Sequence, residues 1–456
     1  IQFGERYDAR LEIDGWNEAG TNTSSWSTAV KNTYSVPELI PQKYPASKAH
    51  ETRAVEMSTL NDSSICYDFG TNSAGRAKLV LKDTKAGEVV IVRYAEDVYE
   101  NEACTEIYGD VYYTYESLAS GRAPYSAKNI DVYICKGADV EIFEPEFTYT
   151  GFGYIYVSGY SGEYTLDTVR KMDTYTDNDI VGTVETSNED IMRLWDAVTR
   201  SYRSNIIGGP QDCPTREKNF WNGDIQVFAS TASWYTDTKA ILSRWTAAGR
   251  KMHLGVYGWE DEEYILPLVL YRYYKNTEVV KEKYPVVKNL INKRCKNLSS
   301  GQLPAKGPTY GDHQAVKKVP DDFFVAAYYS YMYKCAAEMA QILGYTGDAL
   351  TYAKEFEACR KTFNEKYYLE KQKDYSPKMQ GGIVLPMAFG IADDKNMESL
   401  ASTLNGYIIA DGYHLNTGFM GNEYNLGILC DYGYTETAWK VMTNQEYPSM
   451  LNMIDS

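Results

Sequence analysis

The sequence has few histidines and no cysteine pattern of the kind that binds zinc. Its 456 residues include only four His, none at metal-ligand spacing, and none of its eight Cys forms a CxxC pair. Structural zinc sites are built from closely spaced Cys and His ligands, so the pattern argues against one. We therefore expect neither a metal nor a cofactor.

The sequence also lacks long apolar runs and an excess of basic residues. No run of about twenty apolar residues is present, so no membrane-spanning helix is expected. Asp and Glu number 62 against 46 Lys and Arg, which gives a formal net charge of −16. A nucleic-acid partner is not expected, because phosphate binding favours a basic surface. The acidic balance fits a neutral substrate.

A signal peptide is missing as well, but this absence does not settle the compartment. The sequence opens at Ile1 and not at a Met, so we expect a piece of a longer protein whose targeting segment lies outside it. The even number of cysteines allows disulfides without requiring them. A bacterial periplasmic or secreted location is preferred over a cytoplasmic one.

The chain changes from irregular to strand-like to helical patterns. Residues 1–64 are rich in turn formers and are interpreted as the tail of an N-terminal β-domain with a connector. Short β-rich runs separated by Gly and Asn turns predict an antiparallel β-sandwich over 65–165, interrupted by a polar, Tyr-rich insertion at 97–128. A linker over 166–185 leads into a helical domain at 186–456.

The helical domain is expected to contain about eleven or twelve consecutive helices with short links. Such links favour antiparallel hairpins, and an α/α toroid is one way to close them. Periodicity alone does not separate a toroid from an irregular bundle. After a first helix with apolar residues from Ile191 to Tyr202, the predicted helices are 224–236, 238–252, 262–274, 278–299, 321–343, 347–366, 383–391, 394–404, 421–432 and 435–444.

The stretch 212–224 between the first two helices combines residue types that suit a sugar site. Two prolines and several glycines in and before it argue against a helix or a central strand, so a loop is predicted. Carboxylates can transfer protons and bind hydroxyls, and an indole can stack on a sugar ring. From these residues alone, a surface turn with internal ion pairs is equally well supported. The charged and aromatic residues are Asp212, Arg216, Glu217, Lys218, Phe220, Trp221 and Asp224.

Three further loops carry polar and aromatic clusters, at 257–264, 307–313 and 414–419. In a toroid, alternate loops lie on the same rim. We therefore expect these loops to converge with 212–224.

Each of these candidates also has a structural interpretation. Glu262 and Glu263 are interpreted as a solvated helix N-terminus, which the helix dipole favours. Asp224 is either a site residue or the N-cap of a helix that begins at Ile225. For Trp259 and Asp312, a role in the site and a role in the turn are equally supported.

With these motifs assembled, the chain resembles the bacterial α-L-rhamnosidases of glycoside hydrolase family 78. The 212–224 stretch is similar to the family signature. Shorter motifs follow in the family's order along essentially the whole chain: Tyr-Asp-Phe-Gly at 67–70, Phe-Thr-Tyr-Thr-Gly-Phe-Gly-Tyr at 147–154, Gly-Trp-Glu-Asp at 258–261, Tyr-Gly-Asp at 310–312, His-Leu-Asn-Thr-Gly-Phe at 414–419 and Tyr-Pro-Ser at 447–449.

The resemblance implies an inverting exo-glycosidase that removes terminal α-L-rhamnose, with a β-sandwich before an (α/α)6 barrel that is incomplete at its C-terminus. Glu217 matches the general acid. A second carboxylate, about 6.5–9.5 Å away in inverting enzymes, activates water. The expected partner is a rhamnose-containing glycoside or polysaccharide, and a homodimer is one alternative for the assembly. The residues expected to bind the sugar are Asp212, Arg216, Trp221, Asp224, Trp259, Asp312 and His313.

The environment of Glu217 presents a conflict. A general acid needs a raised pKa, which the charges of Arg216 and Lys218 would oppose. We therefore expect Arg216 to face sugar hydroxyls or Asp212, with carboxylates and aromatic side chains dominating around Glu217.

The sequence departs from the family pattern at three places. The general base is expected beyond Ser456, so none is assigned, and the last barrel helices are expected there too. His313 stands where many members have Trp, and Gly153 where they have Arg. The alternatives are a non-catalytic carbohydrate-binding relative and an (α/α)6 enzyme that acts on another sugar.

Overall fold

The computed structural model describes residues 4–34, 39–99, 102–103, 129–248 and 255–455. Most of the Tyr-rich insertion 97–128 lies outside these residues.

The chain divides into two compact units, which we call the β unit and the helical unit. The β unit comprises Ile1–Asp177 and Arg203–Asn219, and the helical unit comprises Asn178–Tyr202 and Phe220–Ser456. The chain passes between the units three times, and the last passage falls inside the candidate loop 212–224.

The β unit is built on a sheet in which nine strands of the described chain pair in the order β1-β8-β5-β10-β4-β11-β2, with β3 and β9 also paired to β4. All pairs are antiparallel except β1 with β8. The strands are β1 (Arg6–Asp8), β2 (Ser47–Arg53), β3 (Glu56–Thr59), β4 (Ile65–Lys82), β5 (Val89–Ala95), β6 (Val98–Tyr99), β7 (Glu102–Ala103), β8 (Ile130–Ile134), β9 (Val140–Phe143), β10 (Thr150–Ser158) and β11 (Val169–Thr176).

The long strand β4 organises this sheet. It pairs with β10 and β9 along one edge and with β3 and β11 along the other. The turn expected from Gly70, Asn72 and Gly75 is wrong. Between the pairs Ser73–Phe152 and Asp68–Tyr154, β4 contains more residues than β10, so Gly70 and Asn72 lie in a bulge of one continuous strand. Gly75 is regularly paired with Thr150 and Asp173.

Four strands of the sheet lie outside the predicted span 65–165. β1, β2 and β3 come from residues 1–64, which were expected to be a domain tail and connector, and β11 comes from the expected linker 166–185. β11 was hard to recognise because its buried face carries a charge. Lys171 is fully buried, and its ammonium donates to the carbonyl oxygens of Thr71 and Phe152, each at 2.9 Å. Those two hydrogen bonds offset the desolvation of the ammonium.

The helical unit contains every helix that the sequence predicted, most of them with different ends; the predicted end of 238–252 lies outside the described residues. For example, α9 continues to Ala410, whereas the prediction stopped at 404. The helices are α1 (Glu189–Asn205), α2 (Asn222–Tyr235), α3 (Lys239–Ala248), α4 (Glu262–Tyr274), α5 (Thr277–Arg294), α6 (Asp321–Ile342), α7 (Thr346–Tyr367), α8 (Gln380–Ala388), α9 (Met397–Ala410), α10 (Phe419–Asp431), α11 (Thr435–Met442) and α12 (Met450–Asp455). Strands β12 (Tyr368–Leu369) and β13 (Asp374–Tyr375) form a small hairpin.

Inner and outer helices alternate along this unit. The first nine residues of α4 and the first eight of α8 are all buried, whereas α5 and α7 bury only part of their surface. A helix that is buried all round belongs to a core. The even-numbered helices pack on one another: α2 on α4, α4 on α6, α8 on α10 and α10 on α2. Phe389, just after α8, stacks on Tyr331 of α6 with ring centroids 4.1 Å apart.

This alternation is that of an α/α toroid and not of an irregular bundle. The predicted class, an antiparallel β-sandwich followed by an (α/α)6 barrel, is confirmed. Within the described part of the chain, no helix is both long and apolar enough to span a bilayer.

Candidate active site

The candidate residues are divided between the two units. Asp212, Arg216 and Glu217 belong to the β unit, and Trp221, Asp224, Trp259, Asp312 and His313 belong to the helical unit. The predicted loop is confirmed, because regular structure resumes only at Asn222.

The β-unit part of the loop is closed by Asp212. The backbone N–H of Asp212 donates to the Asn219 carbonyl at 3.0 Å, and the Asn219 N–H donates to Asp212 Oδ1 at 2.8 Å. The Cys213 thiol donates to the other carboxylate oxygen at 3.1 Å, and Cys213 Sγ accepts the Glu217 N–H at 3.4 Å. Both oxygens of Asp212 thus hold the loop shut, with Glu217 half-buried within it.

Lys218, the residue after Glu217, is held inside the β unit. Its backbone has a left-handed φ of 49°, and its side chain is buried. The ammonium donates to the Tyr149 carbonyl and lies 5.5 Å from the centroid of the Tyr149 ring. Burial lowers the pKa of Lys218 to about 8, against the attraction of the Asp131 carboxylate. The cation that follows Glu217 in sequence is therefore engaged by the sheet.

Asp131 completes this buried polar group. It accepts hydrogen bonds from the Tyr94 hydroxyl and, at 2.6 Å, from the Glu5 N–H. Burial nevertheless raises its pKa. A cavity of about 10 Å³ borders these groups, which is about the space that one water needs. For Arg216, orientation toward sugar hydroxyls or Asp212 stays a prediction.

In the helical unit, the start of α2 packs directly on the indole of Trp259. A Cβ on Gly223 would lie 2.4 Å from Cδ2 of that indole, so only glycine fits there. Asp224 lies in the first turn of α2, where the helix dipole favours a carboxylate. The interpretation of Asp224 as the N-cap of a helix that begins at Ile225 is wrong, because α2 begins three residues earlier, at Asn222.

Trp259 is the centre of an aromatic cluster drawn from three loops. Its ring centroid lies 5.3 Å from Tyr310, 5.0 Å from His313 and 6.4 Å from Phe419. The three loops therefore lie together. Their expected convergence with residues 212–219 stays a prediction. Trp259 is 6% exposed, and its indole N–H has no hydrogen-bond acceptor among the described residues. Burial lowers the pKa of His313, which favours a neutral ring.

Asp312 fixes one of these loops. Its carboxylate accepts the backbone N–H groups of Gly418 at 2.7 Å, Met420 at 2.9 Å and Gly421 at 3.2 Å. These donors are at the N-terminus of α10, so Asp312 supplies acceptors that the helix itself lacks. Since Asp312 is 1% exposed and carries three amide contacts, its role in this structure is to position Phe419.

The acidic run that follows Trp259 is buried, so the interpretation of Glu262 and Glu263 as solvated is wrong. Glu260 is 2% exposed and Glu262 and Glu263 are 6% exposed. Glu263 pairs with Lys283 on α5 at 2.6 Å. That cation is twenty positions along the chain, so the sequence gives no local sign of the pairing.

Glu260 is a candidate that the sequence analysis missed. Its Oε2 accepts a hydrogen bond from the side-chain amide of Asn222 at 3.2 Å. Burial raises the pKa of Glu260 to about 7. A carboxyl group next to Trp259 that titrates near neutral pH has the signature of a functional residue. Its position directly after Trp259 was the only signal in the sequence.

A buried ion pair between Arg294 and Asp261 holds the loop that carries Trp259. The Arg294 guanidinium donates to Oδ1 of Asp261, and Oδ2 of Asp261 accepts the Gly258 N–H at 2.6 Å. The same guanidinium covers the Tyr257 ring, 4.0 Å from its centroid. Residues on both sides of Trp259 are thereby fixed.

Comparison with known families gives three consecutive matches. Residues 179–456, more than half of the chain, match the bacterial alpha-L-rhamnosidase 6 hairpin glycosidase domain. Residues 58–175 match the bacterial alpha-L-rhamnosidase concanavalin-like domain. Residues 1–51 match the alpha-L-rhamnosidase N-terminal domain.

The curated and solved relatives described below are also named alpha-L-rhamnosidases. An alpha-L-rhamnosidase of Streptomyces avermitilis is 29% identical over 99% of this chain and 44% of that protein. One of Formosa agariphila is 24% identical over 100% of this chain and 51% of that protein. The chain therefore spans about half the length of the curated relatives it matches.

Two solved structures cover the whole chain. The Streptomyces avermitilis alpha-L-rhamnosidase complexed with L-rhamnose has a TM-score of 0.89 at 28% identity and is covered over 44% of its chain. The alpha-L-rhamnosidase from Dictyoglumus thermophilum has a TM-score of 0.87 at 26% identity and is covered over 53%.

Proposed function

Because this chain belongs to the bacterial α-L-rhamnosidases, we propose that it removes terminal α-L-rhamnose from glycosides or polysaccharides by hydrolysis with inversion. The observation that carries this proposal is the closed loop of Asp212–Asn219, which holds Glu217 half-buried within the family signature.

Glu217 is proposed as the general acid, which protonates the glycosidic oxygen as the bond to the anomeric carbon breaks. Lys218 is oriented toward the Tyr149 carbonyl, so its ammonium binds within the sheet. Of the two cations that flank Glu217 in sequence, Arg216 and Lys218, the second is therefore engaged elsewhere and does not oppose the role of Glu217 as an acid. Asp212 closes the loop and thereby positions Glu217.

The helical unit is proposed to hold the sugar. The indole N–H of Trp259, which has no acceptor among the residues that the structure describes, can donate to a sugar hydroxyl. Trp221 and Asp224 offer a ring face and an acceptor near the start of α2. His313 and Phe419 form an apolar wall beside Trp259. The domain boundaries expected from the sequence, at 1–64, 65–165, 166–185 and 186–456, remain part of this proposal.

Substitution of the proposed acid tests the function. Glu217→Gln should remove nearly all turnover of a rhamnoside with a poor leaving group, such as an alkyl rhamnoside. It should cost much less with p-nitrophenyl rhamnoside, because nitrophenolate leaves with little protonation. The measurement is kcat for both substrates in the full-length protein, beside Glu398→Gln, which changes an exposed glutamate on α9.

The two substrates separate the alternatives. Wild-type turnover of the alkyl rhamnoside by Glu217→Gln would defeat the assignment of the acid. Binding of L-rhamnose by the wild-type protein without release of nitrophenol would instead identify a carbohydrate-binding relative.

A further inference from the structure

The motif at 147–154 has no role in the proposed mechanism, although it lies against the loop that carries Glu217. Its last five residues begin strand β10, and Tyr149 directly precedes that strand. The motif and the loop 211–219 both belong to the β unit. The contacts between them therefore determine how the sheet holds the loop.

Tyr149 contacts the loop at both of its ends. Its hydroxyl donates to the side-chain oxygen of Gln211 at 2.8 Å, one residue before Asp212. Its backbone carbonyl accepts the ammonium of Lys218, one residue after Glu217, and its ring lies near the same ammonium. Gln211 and Lys218 are both buried, so these polar contacts are shielded from water, where they are stronger.

Strand β10 carries a glycine where the middle of the loop lies against it. A Cβ on Gly151 would lie 2.5 Å from Thr215 Oγ1 and 2.9 Å from Pro214 Cγ, which is closer than non-bonded heavy atoms pack. Thr215 is 5% exposed, so its side chain has little room to move away. A Cβ on Gly153 would instead meet its nearest atom, the Glu96 carbonyl oxygen, at 3.5 Å. The strand therefore has room for a Cβ at 153 and not at 151.

Lys218 connects the sheet to Glu217. Its φ of 49° is unfavourable for a residue with a Cβ, and such a conformation persists when surrounding contacts hold it. The contacts of its ammonium with Tyr149 supply this restraint. Since Glu217 and Lys218 share a peptide bond, a shift of Lys218 moves Glu217. The N–H of Glu217 is also held, because it donates to Cys213 Sγ at 3.4 Å.

We propose that the segment 149–151, which we call the platform, positions Glu217 through its contacts with the loop and with Lys218. Tyr149 and Gly151 are positioning residues, since the proposal gives neither of them a contact with the sugar. The inference rests on the proposed function, because the platform is useful only if Glu217 transfers a proton. Displacement of a reacting group by about 1 Å can cost about 100-fold in rate.

The first test measures kcat of the full-length protein with an alkyl rhamnoside and with p-nitrophenyl rhamnoside. Gly151→Ala and Lys218→Met should each lower kcat for the alkyl rhamnoside by about tenfold or more, and kcat for p-nitrophenyl rhamnoside much less. Gly153→Ala, two residues along the same strand, is the matched control and should leave both values unchanged. Loss of folded protein would lower both values equally, so the ratio separates positioning from stability.

The second test follows the loop without turnover, through alkylation of Cys213 by iodoacetamide. The Cys213 thiol donates to Asp212, and burial raises its pKa, so its reaction should be slow. Peptide mass spectrometry gives the rate at Cys213 relative to Cys430, which is exposed on α10. Gly151→Ala and Lys218→Met should raise this relative rate about threefold or more, and Gly153→Ala should leave it unchanged.

The outcomes separate this inference from the proposed function. A selective loss of alkyl rhamnoside turnover in Glu217→Gln, without one in Gly151→Ala or Lys218→Met, would overturn the platform and leave the acid assigned. Absence of that loss in Glu217→Gln would defeat the proposed acid, and the labelling of Cys213 would still show whether the platform holds the loop. Unchanged labelling in both platform variants would refute the inference.

Discussion

Glu262 is a buried acid, and replacing it with glutamine should stabilise the helical unit at neutral pH. Its Oε2 has no hydrogen-bond partner among the described residues. Burial, followed by the charges of Glu263 and Glu260, holds its pKa well above the ordinary value. Lys283 opposes this shift but is already paired with Glu263. The uncharged form of Glu262 is therefore the stable one.

The sign and size follow from linkage. An acid whose folded pKa is raised stabilises the fold below its unfolded pKa, and this contribution is lost as pH rises through the folded pKa. For Glu260 the pKa moves from 4.5 to about 7. At about 1.4 kcal/mol per pKa unit, ionisation of this group costs up to about 3 kcal/mol. Glu262 is shifted in the same direction.

We therefore expect Glu262→Gln to raise the free energy of unfolding by about 1–3 kcal/mol at pH 8, and by a smaller amount, under about 1 kcal/mol, at pH 5, where the unfolded carboxyl group is still partly protonated. The assay is urea unfolding at a series of pH values, followed by tryptophan fluorescence. All but two of the tryptophans, Trp16 and Trp26, are in the helical unit, so the signal reports mainly on that unit. Glu282→Gln, at an exposed position on α5, is the control.

A gain that does not change between pH 5 and pH 8 would refute this reasoning. So would a loss of stability at pH 8, because it would mean that Glu262 is ionised and usefully paired in the folded state.

Three further substitutions test single contacts. Gly223→Ala should lower turnover of p-nitrophenyl rhamnoside and shift the fluorescence of Trp259, since the new Cβ meets the indole at 2.4 Å; Gly406→Ala, with nothing within 4 Å, should leave both unchanged. Asp312→Asn should lower the free energy of thermal unfolding by about 2 kcal/mol. The carboxylate offers two acceptor oxygens to three backbone N–H groups, whereas the amide of Asn offers one. The pKa of Lys218 is lowered to about 8, so the wild-type protein should gain stability between about pH 8 and pH 10.5, and Lys218→Met should remove that gain in urea unfolding across this range.

Strong local periodicity made the helices predictable from the sequence. Helix α4 was predicted over 262–274 and is observed over the same residues. The convergence of loops around Trp259 was predictable too, because alternation of inner and outer helices brings every second loop to the same rim. Both inferences depend on residues that are near in sequence or on the repetition of one structural unit.

What the sequence did not reveal depends on partners distant along the chain. Taken alone, the turn formers near residue 70 predict a turn. Only the pairing of β10 with β4 on both sides of them shows that they form a bulge. Lys171 interrupts the apolar pattern of β11, and its burial is understandable only once its carbonyl acceptors at Thr71 and Phe152 are known. Glu263 is typical of a solvated helix start until Lys283 is placed beside it.

The wrong interpretation of Glu262 and Glu263 as solvated is itself an argument about the site. A helix start built for stability would leave these carboxylates in water, where the helix dipole favours them. Here Glu260 and Glu262 are buried with raised pKa values, at a cost in stability near neutral pH. They lie within three positions of Trp259, whose buried indole N–H has no acceptor in the described part of the chain. Unfavourable groups of this kind concentrate where a protein binds or reacts. We therefore expect Glu260, held by Asn222, to take part in sugar binding, and Glu260→Gln to raise KM for a rhamnoside more than it lowers kcat. If Glu260→Gln leaves KM unchanged and still stabilises the protein near neutral pH, the acidic residues after Trp259 have a structural role alone.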